Sequence, residues 1–213
     1  MDTGQPVIER SAARTAWEET GTVLVPDALR PGRFEELVKE AHDRIGLATP
    51  HVRDEMSAHR DGSFAAPFHC AFVPAGPVLE ALAYDKTLWA AVREATGLPR
   101  LVPRGGAVVV YRKGDFQGVH FDSVRASVTV GVALTERLPP MGWAPKLRDA
   151  HPDILARLCA DHGLCPESDD FQTLDHEFGG GSLRAFAGYN VPHWRPPYPG
   201  ELGLLATFSY LDL

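Results

Sequence analysis

The chain has 213 residues, 44% hydrophobic and 23% charged, with 28 acidic against 21 basic side chains and a net charge of -7. A chain of this size buries roughly 70% of its unfolded surface, so it can build a sizeable core. The acidic balance argues against nucleic acid as a partner, because phosphate binding needs a basic face, but one local arginine could still hold a small acidic substrate. No stretch approaches the ~20 apolar residues of a membrane span. Residues 1–14 (MDTGQPVIERSAAR) lack an apolar core of signal-peptide length, so the expectation is a cytoplasmic protein with no membrane partner. Cys70, Cys159 and Cys165 cannot all pair with one another and fit no zinc spacing; they read as buried or idle thiols.

Taken in chain order, residues 9–20 place apolar groups at helical spacing, and Gly21 ends them. A short β-rich run follows in GTVLVPDALRP, broken by Pro26 and Pro31. Residues 34–46 predict an amphipathic helix with Phe34, Leu37, Val38, Ala41 and Ile45 on one side and Gly46 as its stop. Residues 47–63 are polar and rich in turn formers, which predicts a flexible loop. The overlapping segment 51–64, with His51, Arg53, His59 and Arg60, has the length of an active-site lid or of a solvated loop. FHC at 68–70 predicts a strand with His69 turned to a cavity or to the core, and 77–97 hold one or two further helices.

From about residue 101 the texture changes to strands: GAVVVYRKG, FQGVHFD and VRASVTVGVALTE are β-branched or alternating runs separated by turn residues. Residues 138–170 interrupt them with a Pro-rich turn and a short helix around 151–163. Strands resume in DFQTLDHEF, GSLRAFAG, NVPHW and GLLATFSYLDL. The glycines 179–181 predict a tight turn rather than a phosphate loop, since no helix start or lysine follows. Helices followed by many short strands predict an α+β fold whose sheets form a sandwich or barrel. The expected organisation is one domain over 1–213, with a mainly helical layer and early strands in 1–100 and a strand-rich core in 101–213 carrying the insertion 138–170.

Chemistry concentrates at H-x-D. On a strand, residues i and i+2 share a face, so His120 and Asp122 aim an imidazole and a carboxylate into one space, with Phe121 turned away. That nitrogen and oxygen pair suits a divalent ion such as Fe(II). A second histidine from a remote strand would complete a facial triad and leave adjacent positions open. His193, in NVPHWRPP, is the best third ligand because its adjoining prolines stiffen it; His176, in LDHEF, is the competitor. Trp194 walls the cavity or simply packs. Tyr111 and Lys113, at alternate spacing before the triplet, are placed to contact substrate or cosubstrate.

The block YRKGDFQGVHFDSVRASVTV resembles the Tyr…Gly-Asp…His-x-Asp…Arg/Thr segment of prolyl-4-hydroxylase-like Fe(II)/2-oxoglutarate oxygenases. GSLRAFAGYNVPHWRPPYPG is similar to their strand ending in Phe, followed by the distal histidine, Pro and Gly. WEETGTVLVPDAL is similar to the opening of phytanoyl-CoA-dioxygenase-like members. The resemblance spans roughly residues 15–30 and 101–213. It implies a double-stranded β-helix (a cupin-like jelly roll) with N-terminal helices packed on the major sheet. It further implies Fe(II) on His120, Asp122 and His193, with 2-oxoglutarate and O2 as cosubstrates. The implied reaction is a dioxygenase hydroxylation of a C–H bond in a small molecule, such as an amino acid or a biosynthetic intermediate. Halogenating relatives have a small residue at the carboxylate position, so Asp122 points to hydroxylation or desaturation.

One departure stands out. The arginine that follows the distal histidine by about ten residues, and clamps the far carboxylate of 2-oxoglutarate, is replaced here by Leu202, Gly203 and Leu204. A buried carboxylate needs a cation of matched geometry. The clamp then comes from Arg125, Arg195 or, with its partners Ser182 and Phe186 on one strand face, Arg184, which is the favoured assignment. The other readings are an Fe(II)/O2 oxygenase that does without 2-oxoglutarate and a non-catalytic jelly-roll binding domain. The oligomeric state is open.

Overall fold

The computed structural model describes residues 11–30, 32–58, 64–179 and 181–213. Helix α1 (Ala12–Thr20) opens with the Ser11 hydroxyl accepting from the Arg14 amide and closes on Gly21 in the left-handed region (φ 73°). β1 (Thr22–Val25) follows. α2 (Arg33–Arg44) ends in a 3-10 turn over Ile45–Leu47, so the α-helix stops two residues before Gly46. α3 (Pro77–Ala83) and α4 (Lys86–Thr96) are separate helices. Pro77 starts α3, and the Asp85 carboxylate caps α4 on the amides of Thr87 and Leu88.

The remaining strands are β2 (Thr49–Arg53), β3 (Ser57–Ala58), β4 (Phe64–Ala65), β5 (Phe68–Pro74), β6 (Leu101–Tyr111), β7 (Phe116–His120) and β8 (Val128–Ala133). β9 (Met141–Trp143), β10 (Gln172–Leu174), β11 (Leu183–Phe186), β12 (His193–Arg195) and β13 (Gly203–Asp212) complete the set, with α5 (Asp153–His162) between β9 and β10. The strands pair antiparallel in the order β1-β11-β8-β13-β6-β5-β7-β12-β9-β10, with β2 added on β5 and β4 on β7. β11 and β9 stand near opposite ends of that order, yet the rings of Phe186 and Trp143 meet at 6.0 Å. The sheet is therefore curled back on itself, as a double-stranded β-helix requires.

Strict alternation along β8 decides what each face does. Val128, Val130 and Val132 point outward and join Val108, Val110, Leu204, Ala206 and Phe208 in one core with Leu37, Leu79, Leu88 and Val92 of the helices. The N-terminal helices thus pack on the major sheet, as expected. Thr129 and Gly131 take the opposite, inward face, where register places them beside Phe186 and Arg184 of β11.

Two sequence expectations change. Residues 47–63 are not simply loop, because Thr49–Arg53 pairs residue by residue with Phe68–Phe72. Pro50 concealed this strand, but β2 pairs only with β5, so the missing N–H falls on an edge that tolerates it. The insertion 138–170 also supplies β9, which pairs with β12 and β10. Residues 9–10 of the first expected helix, Pro31, residues 59–63 with His59 and Arg60, and Gly180 lie outside the described residues. Gly179 and Gly181 both have positive φ (79° and 72°), as a tight turn demands. All three cysteines are free thiols. No helix among the described residues is long and apolar enough to cross a membrane.

Candidate metal centre

β7 ends at His120. Asp122 lies just beyond it, held by its amide donating to the Gly188 carbonyl (2.8 Å). His193 begins β12, directly opposite His120 in the ladder. The ligand atoms of His120, Asp122 and His193 all lie within 4.8 Å of one another. Asp122 Oδ1 is 3.9 Å from His120 Nε2 and 3.6 Å from His193 Nε2. The sequence triad is assembled in space, and His176 is not part of it.

The surroundings orient each donor. His120 Nδ1 is 2.8 Å from the Gly118 carbonyl and His193 Nδ1 is 3.0 Å from that of Val191. A carbonyl can only accept, so each ring carries a proton on Nδ1 and turns Nε2 toward the shared point. Burial, reinforced by neighbouring His193, pushes the His120 imidazole down to about 4, so it is neutral and able to ligate at pH 7. The Thr129 hydroxyl donates to Asp122 Oδ2 (2.6 Å), which leaves Oδ1 to face the imidazoles. Burial would raise the Asp122 carboxyl. The opposing effects of His193, His120 and the Thr129 hydroxyl win and hold it below the usual carboxylate range. Two imidazole nitrogens and one carboxylate oxygen on one side of a point suit a divalent ion of the Fe(II), Mn(II) or Ni(II) kind.

Gly188 makes this possible, and sequence reasoning missed it. A Cβ built there would sit 2.2 Å from Asp122 Oδ2 and 3.0 Å from His193 Cε1. We expect Gly188→Ala to weaken divalent-metal binding by about 10–100-fold, the usual cost of disturbing groups that orient ligands, with the fold retained. Calorimetric titration with Ni(II) alongside far-UV circular dichroism checks this.

A cavity of about 220 Å³ opens on the triad, lined by His51, Phe68, Phe72, Gln117, His120, Phe121, Asp122 and Ser123. The alternation of a strand would have turned Phe121 away, but it borders the same mouth because β7 ends at His120. His51 of β2 stacks on Phe68 (4.7 Å between centroids), and the Arg53 guanidinium covers the same ring at 5.3 Å. The front half of segment 51–64 is therefore a wall of the mouth. A larger cavity, about 540 Å³, lies across β12 on the outer face, lined by Trp194, Phe171 and Cys165 among others. Trp194 turns away from the triad and its indole covers Gly142, so it packs rather than lining the triad's cavity. His69 pairs with Asp54 (2.9 Å) and is partly exposed, facing neither core nor site.

The four cosubstrate candidates separate clearly. Arg125 is exposed in the turn after Asp122, and Lys113 is likewise on an exposed turn. Arg184 donates to the Asp175 carbonyl (2.8 Å) and the Thr22 hydroxyl (3.4 Å). Arg195 is the one buried arginine among the described residues, at 2% exposure. It sits two residues beyond His193 on the same face of β12, donates to the Pro139 carbonyl and lies over the Tyr111 ring at 5.7 Å. No carboxylate among the described residues pairs with it. Tyr111 is fully buried; burial raises its phenol far above the usual range, so the hydroxyl keeps its proton and donates to Gln117 Oε1 (2.7 Å).

No protein-family profile matches the chain. No curated protein matches it either. Solved structures do. HygX from Streptomyces hygroscopicus, with nickel, 2-oxoglutarate and hygromycin B bound, superposes with a TM-score of 0.68 at 14% identity over 95% of this chain and 87% of its own. The non-haem α-ketoglutarate-dependent epimerase SnoN from nogalamycin biosynthesis gives 0.65 at 17% over 94% and 81%. A Pseudomonas putida prolyl-4-hydroxylase gives 0.60 at 17% over 95% and 98%. The chain has the fold of the Fe(II)/2-oxoglutarate oxygenases, the double-stranded β-helix.

Proposed function

We propose that the protein is a mononuclear non-haem Fe(II)/2-oxoglutarate-dependent dioxygenase that oxidises a C–H bond of a small molecule. The observation that carries this reading is the one-sided triad of His120, Asp122 and His193, with both imidazoles anchored through Nδ1. A structural histidine pair would have no need of two Nε2 atoms converging on one carboxylate oxygen.

Iron with 2-oxoglutarate and O2 supplies an oxidant strong enough for an unactivated C–H bond, the cosubstrate leaving as succinate and CO2. The chain's own residues do the rest. His120, Asp122 and His193 hold the ion from one side only. Thr129 and Gly188 fix the Asp122 carboxylate. Arg195 replaces Arg184 as the favoured clamp for the far carboxylate of 2-oxoglutarate. A buried guanidinium without an anion costs several kcal/mol, and a dicarboxylate entering beside Tyr111 supplies the missing charge. Phe68, Phe72 and Phe121, with the His51 ring, offer the substrate an apolar wall and keep water from the reacting carbon.

The mouth is small, which favours a small-molecule substrate. HygX, crystallised with hygromycin B, and SnoN, from nogalamycin biosynthesis, are consistent with that preference. Because SnoN is an epimerase, hydroxylation is our reading of Asp122 and the open triad rather than a property of the fold.

Adding 2-oxoglutarate to the anaerobic Fe(II) protein is expected to raise a weak visible metal-to-ligand charge-transfer band. Stoichiometric iron without the band would favour an Fe(II)/O2 oxygenase that does without 2-oxoglutarate. A folded protein that fails to retain iron would favour a non-catalytic binding domain.

A further inference from the structure

His176 lies on the loop between β10 and β11, where the metal centre does not use it. Its ring nonetheless projects into the barrel. A Cβ on Gly131 of β8 would sit 2.7 Å from His176 Nε2 and 3.4 Å from Leu205 Cδ1, and the ring meets Phe186 edge-on at 6.3 Å. Gly131 shares the inward face of β8 with Thr129, and Phe186 in turn contacts His193 at 5.8 Å. The imidazole thus occupies the room that a side chain at position 131 would fill, on the inner face that carries the triad.

Both of its ring nitrogens are buried and neither has a hydrogen-bond partner. Buried polar atoms are satisfied in the great majority of cases, and an exception calls for a ligand or water. The neighbouring cations point to an anion. Burial first, then the charges of Arg195 and Arg184, drive the imidazole well below its ordinary value, so it is neutral. A neutral imidazole still offers one N–H donor. Leu205, which meets the space His176 fills, packs with Tyr111, and the buried Arg195 guanidinium lies over that same ring. With no carboxylate among the described residues on either group, the two form an anion site with one charged and one neutral donor.

We propose that His176 is a positioning residue for the cosubstrate: its N–H binds, together with Arg195, the far carboxylate of the 2-oxo dicarboxylic acid. The proposal rests on the 2-oxoglutarate reading above. It also makes His176 a determinant of chain length and charge, because a monocarboxylic 2-oxoacid leaves both groups unsatisfied.

The test is anaerobic titration of the Fe(II) protein with 2-oxoglutarate and, separately, with 2-oxopentanoate, which has a methyl group in place of the far carboxylate. The charge-transfer band is followed in each case. In His176→Phe, an aromatic ring without nitrogens, the 2-oxoglutarate dissociation constant is expected to rise about tenfold, the scale of a hydrogen bond to a charged group. Binding of 2-oxopentanoate and of Fe(II) is expected to stay unchanged, and His176→Gln to recover most of the loss. His176→Met carries the same comparison if the ring replacement fails to fold. Unchanged 2-oxoglutarate binding in the Phe or Met variant overturns the proposal. So does equal weakening for both 2-oxoacids, which is the mark of a merely structural role. A wild-type protein that binds iron but gives no band with 2-oxoglutarate overturns the cosubstrate reading itself, and the His176 proposal with it.

Discussion

Asp122→Ala is expected to lower Fe(II) affinity at least about 100-fold and to bring turnover to background. Changes one step removed from a metal already cost about 10–100-fold in affinity or activity, and here the ligand itself is lost. Asp122 supplies the only anion of the triad, and its Oδ1 is the atom both imidazole Nε2 atoms face, at 3.9 and 3.6 Å. Without it two imidazole nitrogens remain, too little for a hard-to-borderline divalent ion in competition with water. The Thr129 hydroxyl also loses its acceptor, at a cost of about 1–3 kcal/mol, within reach of a core built from the opposite face of the sheet. Far-UV circular dichroism should therefore match the wild type while anaerobic Fe(II) titration shows the loss. Stoichiometric iron and full turnover in this variant would overturn the triad.

The fold was legible where local pattern and tertiary environment agree. The alternation in VTVGVA splits into an outer Val face and an inner Thr/Gly face, and both are used as the pattern implies. The ligand set was legible because H-x-D keeps the spacing of extended backbone and the prolines around His193 mark a constrained turn. What stayed hidden depends on contacts distant in sequence. β2 looked like loop because Pro50 and Thr49 read as turn formers, and only pairing with β5 makes a strand of them. Gly188 and Gly131 looked like two glycines among the chain's 20. Their importance lies in what occupies the space beside them, Asp122 in one case and His176 in the other. Arg184 and Arg195 have the same parity on their strands, so alternation could not rank them. The difference is that the Asp175 carbonyl and the Thr22 hydroxyl take up Arg184, while β12 carries Arg195 into the barrel.

That ranking leads to the second large effect. Arg195→Met is expected to raise the 2-oxoglutarate dissociation constant by about 150–5000-fold, since removing one partner of a buried ion pair costs about 3–5 kcal/mol. Arg184→Met, at a partly exposed group, should stay within about threefold. A second readout separates a clamp from a structural arginine. In the protein without cosubstrate, Arg195 is a buried charge with no anion among the described residues, and replacing such a charge by an apolar side chain of similar length is neutral or stabilising in many proteins. The thermal midpoint of Arg195→Met without 2-oxoglutarate should therefore equal or exceed that of the wild type. Added 2-oxoglutarate should stabilise the wild-type Fe(II) protein and leave the variant unmoved. A lowered midpoint with cosubstrate affinity intact would assign Arg195 to holding Tyr111 and the Pro139 carbonyl in place. The far carboxylate would then need a different cation, and Arg184 would be the first to test.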